Sequence, residues 1–254
     1  MGIGASYPVT TMPPMFVIFS DFGSQGPYLG QVSAVLHGAA PGVPVVDACC
    51  DAPSFDPRAS AYLLAALSDH YPVGSVLIAV VDPGVGSDRH GLVLEADGRW
   101  YVGPDNGLLS QVAARHLDVR VWRILRRPER PSMSFHGRDW FAPVAARLAE
   151  HDLTGMQDIP VSDMVGHDWE HDLPSIIYVD HYGNLMTGLR AETVPYDAQL
   201  VLGSVSVMRA ETFSSVPNGQ AFWYINSMGL VEIAVNQGRA EALIGMGVGD
   251  AVTW

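Results

Sequence analysis

The chain contains no lysine; its 14 basic residues are all arginine. That absence excludes a Schiff-base lysine, a pyridoxal attachment point and the lysine of a Walker phosphate loop. Positive charge is scarce overall, with 27 acidic residues giving a net charge of -13 and a pI of about 4.9. No basic stripe runs along the sequence, so the footprint of a general nucleic-acid or anionic-membrane binder is missing. Cysteine is limited to the adjacent pair Cys49 and Cys50. Neighbouring residues rarely reach disulfide geometry and no third thiol exists, which predicts reduced thiols and a cytoplasmic protein. Residues 1–14 lack a basic residue and carry Pro8, Pro13 and Pro14, unlike a signal peptide; they read as a flexible leader, with Met15 an alternative start. The apolar run Val76–Val81 falls far short of the ~20 residues that span a bilayer.

What is present is a chain of 254 residues, 48% hydrophobic, long enough for one or two domains. A chain of this size buries about 70–75% of its unfolded surface and needs neither metal nor disulfide to be stable. Phe16–Phe19 reads as a strand entering the turn Ser20-Asp21-Phe22-Gly23, and Gln31–Ala39 as a helix stopped by Pro41-Gly42. Val43–Val46 predicts a strand, Arg58–His70 a helix with an apolar stripe at Ala61, Leu64, Ala65 and Leu67, and Val76–Val81 a fully buried strand. Trp100–Val102, a helix from Leu108 to about His116, a strand at Val119–Ile124 and a helix over Asp139–Glu150 follow. The alternation predicts a Rossmann-like α/β domain over 15–165, a parallel sheet covered by helices on both faces. Residues 166–173, with His167-Asp168-Trp169-Glu170-His171-Asp172, read as a polar, acidic linker. Over 174–254 the signals are short strands at Ser175–Val179, Leu185–Leu189, Gln199–Leu202, Ser204–Met208, Ala221–Ile225 and Leu230–Val235, with one possible helical turn near Arg239–Ile244. Their spacing predicts a small all-β, barrel-like domain.

Ligands of an open parallel sheet bind beyond the carboxyl ends of its strands. Asp21 and Asp82 fall at two such ends, each followed by a glycine turn, on one edge of the sheet and a few strand widths apart. A strand-end aspartate either caps its turn or faces a ligand. Arg89 lies seven residues after Asp82 across a tight loop, a spacing that lets the guanidinium fold back and keep the carboxylate charged. His136, in Phe135-His136-Gly137-Arg138-Asp139, precedes a helix and serves either as a cap or as a site residue. Gly103-Pro104-Asp105-Asn106-Gly107 is explained well enough as a turn. In the second half, turns at Asp180–Asn184 and Asn226–Gly229 join apolar strands, which hairpin chemistry alone explains. Glu232 is the exception, an acid inside an apolar strand; facing inward, it needs a hydrogen-bonding partner that a ligand can supply. His167 and His171 lack matched downstream ligands and read as part of a solvated loop, not a metal site. Gly23, Gly26 and Gly30 are too scattered for a dinucleotide fingerprint.

Six ordered segments together resemble the S-adenosylmethionine (SAM) hydroxide adenosyltransferase family, relatives of the SAM-dependent fluorinase and chlorinase. They are Ser20–Gly23; Val80–Gly86 with Arg89; Gly103–Leu109; Phe135–Pro143; Asp180 with Gly183-Asn184; and Asn226-Ser227 with Gly229 and Glu232–Ala234. The resemblance runs from about Phe16 to the C-terminus and implies an α/β domain plus a small β-barrel. It implies a triad of Asp82, Arg89 and His136 holding a water or hydroxide against C5′ of the ribose, with Asp21 on the ribose hydroxyls. Tyr28 and Phe55 are implied to line the substrate pocket, Phe55 standing where the fluorinase has a tryptophan. Asp180, Asn184 and Ser227 are implied to contact the nucleoside or methionine end, and Glu232 and the backbone near Val235 the adenine or its surroundings. Gly26, Cys49-Cys50, Gly188 and Arg239 depart from the family's pattern, which has an acid, a histidine-bearing stretch, Asn and Ser there.

The implied reaction is hydrolysis of SAM to adenosine and L-methionine, without metal or other cofactor, in a homotrimer whose sites lie between subunits. The halogenating relatives carry tyrosine at the position of Asp82. A carboxylate there repels a halide but accepts a hydrogen bond from water, which separates the two chemistries. Three alternatives stay open at this point: a SAM-dependent halogenase, a metal-dependent phosphohydrolase built on Asp21, Asp82, Asp105 and His136, and a non-catalytic SAM or adenosine sensor.

Overall fold

A computed structural model describes residues 15–254; the leader expected at 1–14 lies outside the described residues. In the first region the strands are β1 (Phe16–Ser20), β2 (Val45–Cys49), β3 (Val76–Val80), β4 (Gly91–Ala96), β5 (Arg99–Pro104), β6 (Val119–Ile124) and β7 (Met156–Ile159). They form one seven-stranded sheet in the order β2-β1-β3-β5-β4-β6-β7. The β2, β1, β3 and β5 neighbours pair in parallel, as the alternating pattern predicts, whereas β4, β6 and β7 pair antiparallel and make the sheet mixed. The helices are α1 (Tyr28–Ala39), α2 (Pro57–Ser68), α3 (Ser110–Arg115) and α4 (Ala142–Leu148).

Side chains of β1 alternate between two cores, as the period of a strand requires. Phe16 and Ile18 pack with Val32 and Leu36 of α1 and with Ala145 and Leu148 of α4, while Val17 and Phe19 pack with Tyr62 and Leu64 of α2 and Val112 of α3. A strand apolar on both faces therefore sits in the middle layer of three. The start of α2 is fixed by its sequence: the Asp56 carboxylate accepts from Ala59 N at 2.9 Å, and Pro57, lacking an N–H, occupies the first turn. The helix expected from Asp139 begins instead with a π-helical turn over Gly137–Phe141 that leads into α4.

The second region holds β8 (Leu173–Val179), β9 (Leu185–Arg190), β10 (Leu200–Leu202), β11 (Val205–Val207), β12 (Ala221–Ile225), β13 (Leu230–Val235) and the short α5 (Ala240–Ile244). Antiparallel β12-β13-β9-β8 forms one sheet and β10-β11 a second. Bridges Ser175↔Ala251, Val201↔Thr253 and Arg209↔Trp223 carry the pairing on from β8 through the C-terminal residues to β10, and from β11 back to β12, which gives the barrel-like form. The region docks on α2, with Ile177 and Leu230 joining the core cluster that contains Tyr62 and Leu64.

The acidic linker is more anchored than a solvated loop. His167, Asp168, Glu170 and His171 are exposed, but Trp169 is half-buried under Arg58 and lies where a Cβ on Gly107 would collide with it. Among the described residues no group of three His, Cys, Asp or Glu side chains is placed to hold a metal, and no helix is long and apolar enough to cross a membrane.

Candidate active site

Strands β1 and β3 are direct neighbours in register, Ser20 opposite Val80. Asp21 and Asp82 therefore leave adjacent strands, closer than the few strand widths expected, and the charge of Asp82 contributes to raising the Asp21 pKa. Burial is the larger cause of that rise, partly offset by the hydrogen bond from Phe55 N to Asp21 Oδ2 at 3.2 Å. Phe55 donates from a left-handed backbone, φ 62°, with its side chain 78% exposed. A non-glycine residue there stores strain, and the conformation holds an apolar ring at the cavity mouth instead of in the core.

The loop after β3 folds back as its spacing predicts. Arg89 donates from Nε to Asp82 Oδ1 at 2.7 Å and from Nη2 to Asp82 Oδ2, a bidentate pair with side chains only 9% and 5% exposed. The same Nη2 lies 3.0 Å from His136 Nδ1. Because a guanidinium only donates, Nδ1 must accept, and neutral His136 carries its proton on Nε2. Burial, then the charge of Arg89, lowers the His136 pKa below its ordinary 6.5 and keeps the ring neutral. The guanidinium lies 5.3 Å from the Phe141 ring and 5.7 Å from Trp140, so the π-turn after His136 supplies its apolar backing. Gly137 lets the Phe22 ring pack against the start of this turn, since a Cβ there would sit 3.0 Å from that ring.

These groups surround a cavity of about 410 Å³ lined by Asp21, Tyr28, Phe55, Asp82 and His136, together with Phe22 and Phe135. Phe22, Tyr28 and Phe135 form an edge-to-face aromatic wall, with centroids 5.2 Å apart for Tyr28–Phe135 and 5.5 Å for Phe22–Phe135.

A second cavity of about 670 Å³ lies in the β region, lined by Asp180, Asn184 and Val235 with Tyr182, Phe213, Tyr224, Gln237 and Arg239. Asp180 is held by Asn184, which donates from its backbone N at 2.8 Å and from Nδ2 at 3.0 Å. Glu232 does face inward, 2% exposed, but its partners are internal: Tyr224 OH and, at 2.9 Å, Asn226 Nδ2. Burial raises its pKa. The expectation that a ligand supplies the partner of Glu232 is thus corrected; it is satisfied by its own sheet. Ser227 is exposed in the turn between β12 and β13 and lines neither cavity.

Reading the sequence missed Phe22 and Phe135 as cavity walls, and also Arg127. Arg127 donates to Ser87 O at 3.3 Å and to Arg89 O at 2.7 Å, bracing the loop from outside. Nothing in the run Arg126-Arg127 signals that role, because its partners are backbone carbonyls about 40 residues earlier.

Residues 16–157 match the SAM hydroxide adenosyltransferase N-terminal domain and residues 174–253 its C-terminal domain. The chain belongs to the SAM hydroxide adenosyltransferase family. A curated relative from Thermus thermophilus, named (R)-S-adenosyl-L-methionine hydrolase, is 37% identical, covering 95% of this chain and 99% of its own. One of the same name from Salinispora arenicola is 34% identical over 93% and 96%. A fluorinase from Nocardia brasiliensis is more distant, 24% identical over 88% and 90%. Among solved structures, an uncharacterized conserved protein from Thermotoga maritima superposes with a TM-score of 0.83 at 28% identity, covering 94% of this chain and 98% of that one.

Each of the four places where the chain departs from the pattern that the resemblance implies has a distinct local setting. Gly188 lies against β8 so closely that a Cβ would sit 2.6 Å from Leu173 Cβ, leaving no room for Asn. Arg239 lines the second cavity, where its guanidinium bonds Glu241 and, at 2.9 Å, the His181 carbonyl. At Cys49-Cys50 both thiols are free, and the Cys50 carbonyl accepts from Gly23 N at 2.6 Å, tethering the loop that bears Asp21. At Gly26 a side chain would press on the Tyr28 ring, 3.3 Å from a Cβ.

Proposed function

We propose that this chain hydrolyses SAM by attack of water at ribose C5′, releasing adenosine and L-methionine, and that it takes the (R)-sulfonium epimer named for its relatives. The observation that carries this reading is the buried Asp82–Arg89 pair tied to a neutral His136 at one cavity. In the proposed step the water oxygen bonds to C5′ as the C5′–S bond breaks. Its electron pair goes to sulfur, which departs as a neutral thioether, so no general acid is needed. The water proton leaves through a carboxylate lone pair of Asp82 to solvent, and His136, with Nδ1 occupied, contributes a donor and not a base. Holding water and C5′ in line supplies up to ~7–11 kcal/mol of the barrier. The scheme requires no cofactor.

Asp21 takes the ribose hydroxyls, with Tyr28 and Phe55 against the substrate. Asp180, Asn184, Ser227, Glu232 and Val235 serve the nucleoside or methionine end, Glu232 by fixing Tyr224 and Asn226. Because Asp21, Tyr28 and Phe55 line one cavity of the chain and Asp180, Asn184 and Val235 the other, the reading places each complete site between the α/β region of one subunit and the β region of another, in a homotrimer. The free thiols favour a cytoplasmic setting. Domain limits of 15–165 and 174–254, joined by 166–173, fit this division. Incubating the protein with each separated SAM epimer and identifying products by mass tests the proposal: adenosine and methionine from the (R) form are expected. Intact SAM after binding favours a sensor, and activity abolished by EDTA favours a phosphohydrolase.

A further inference from the structure

The turn Gly103–Gly107 lines neither cavity, yet it grips both ends of the loop that carries Asp82 and Arg89. Pairing of β3 with β5 ends at Ile78↔Val102, and the chains stay so close beyond it that a Cβ on Gly103 would collide with the Ala79 carbonyl. The carbonyl of fully buried Val81, one residue before Asp82, then needs a donor from elsewhere. Asn106 Nδ2 supplies it at 2.9 Å. Its own Oδ1 accepts from Leu108 N at 3.2 Å, so both amide ends face partners of fixed role and the orientation of the amide is determined. At the other end of the loop, Asp105 N donates to the carbonyl of His90, next to Arg89, at 3.0 Å.

We propose that Asn106 is a positioning residue for the reaction, acting through the Val81 carbonyl to set where the Asp82 carboxylate stands against the nucleophile. The inference rests on the reading of Asp82, Arg89 and His136 as the reacting set. Asn106 touches no reacting atom; it replaces a missing rung of the sheet with a side chain. A backbone shift below 1 Å at Val81 passes directly to Asp82, and such a misplacement is costly in a site that works by alignment.

The test uses Asn106→Asp and Asn106→Ser. Each keeps an oxygen that accepts from Leu108 N, so the turn is preserved, and each loses the donor to Val81; serine does so without adding charge. Both variants are expected to lower kcat by about 10- to 100-fold while KM stays within about twofold. In an Asp82→Asn background the same substitutions should cost less than about twofold more, since the group they position is already disabled. A purely structural role gives no such non-additivity. Wild-type kcat in both variants, a full multiplicative loss in the Asp82→Asn background, or loss of the fold in both by circular dichroism overturns the proposal. If the wild-type protein itself leaves SAM intact, the reading of the site fails instead, and the two failures are distinguishable.

Discussion

The two cavities are built on opposite electrostatic plans. In the α/β region the buried carboxylate of Asp82 is matched by a buried guanidinium, which also binds neutral His136. In the second cavity Asp180 is held, among the described residues, only by the neutral donor Asn184, while Arg239 gives its guanidinium to Glu241 and a carbonyl. A charge-compensated network is rigid and suits the alignment of a nucleophile. Acids held by neutral groups retain lone pairs for the donors of a bound substrate. The charge-paired network of Asp82, Arg89 and His136 should therefore govern kcat, and the carboxylates held by neutral donors, Asp180 and, in the first cavity, Asp21, should govern KM.

The largest expected effect falls on the first cavity. Asp82→Asn should lower kcat by about 10²–10⁴-fold with little change in SAM affinity, measured by steady-state kinetics and calorimetry. An Asp82 variant that lost affinity and kept kcat would reverse the assignment of these two groups of residues. Asp21→Ala and Asp180→Ala should instead raise KM, by about tenfold for one lost hydrogen-bonding carboxylate, because their contacts exist before the transition state.

The pH profile sharpens the same division. His136 must stay neutral to accept from Arg89, and its pKa lies below 6.5, so the acid limb of kcat should fall below that value. The folded state binds fewer protons at this histidine than the unfolded chain does. Its contribution to stability is therefore present above pH 6.5 and lost as pH falls toward the lowered pKa. Asp21 and Glu232 have raised pKa values, so each keeps its proton to higher pH than a free carboxyl, above 3.8 and 4.5 respectively. Binding should weaken on acidification beginning above those values. An acid limb of kcat above pH 6.5 would contradict the role of His136 as an uncharged donor. The smallest effect concerns stability alone: Gly188→Asn should cost about 1–3 kcal/mol through the clash with Leu173, lowering Tm and leaving kcat unchanged.

How far these features were legible depended on whether their cause was local. Val119–Ile124, Ala221–Ile225 and Leu230–Val235 match their expected strands at both ends, because each is rich in β-branched or aromatic residues and bounded by turn residues. The strands Gly91–Ala96 and Met156–Ile159 escaped, and with them the antiparallel half of the sheet. A signal for the first existed: Asp97-Gly98, both with positive φ, is the two-residue hairpin turn that joins it to Arg99–Pro104. Met156–Ile159 is short and half polar, and only its pairing with β6 makes it a strand. At the site, the Asp82–Arg89 pair was legible from seven-residue spacing. The links Arg89–His136 and Asn106–Val81, and the separation of Asp180 from Asp82, arise from tertiary packing that no local pattern encodes.

A water molecule aligned by Asp82, Arg89 and His136 that attacks C5′ leaves its oxygen in the product. Turnover of (R)-SAM in ¹⁸O-labelled water, with mass analysis of both products, tests it most directly. One labelled oxygen is expected on the adenosine 5′-hydroxyl and none in methionine. Unlabelled adenosine would contradict it.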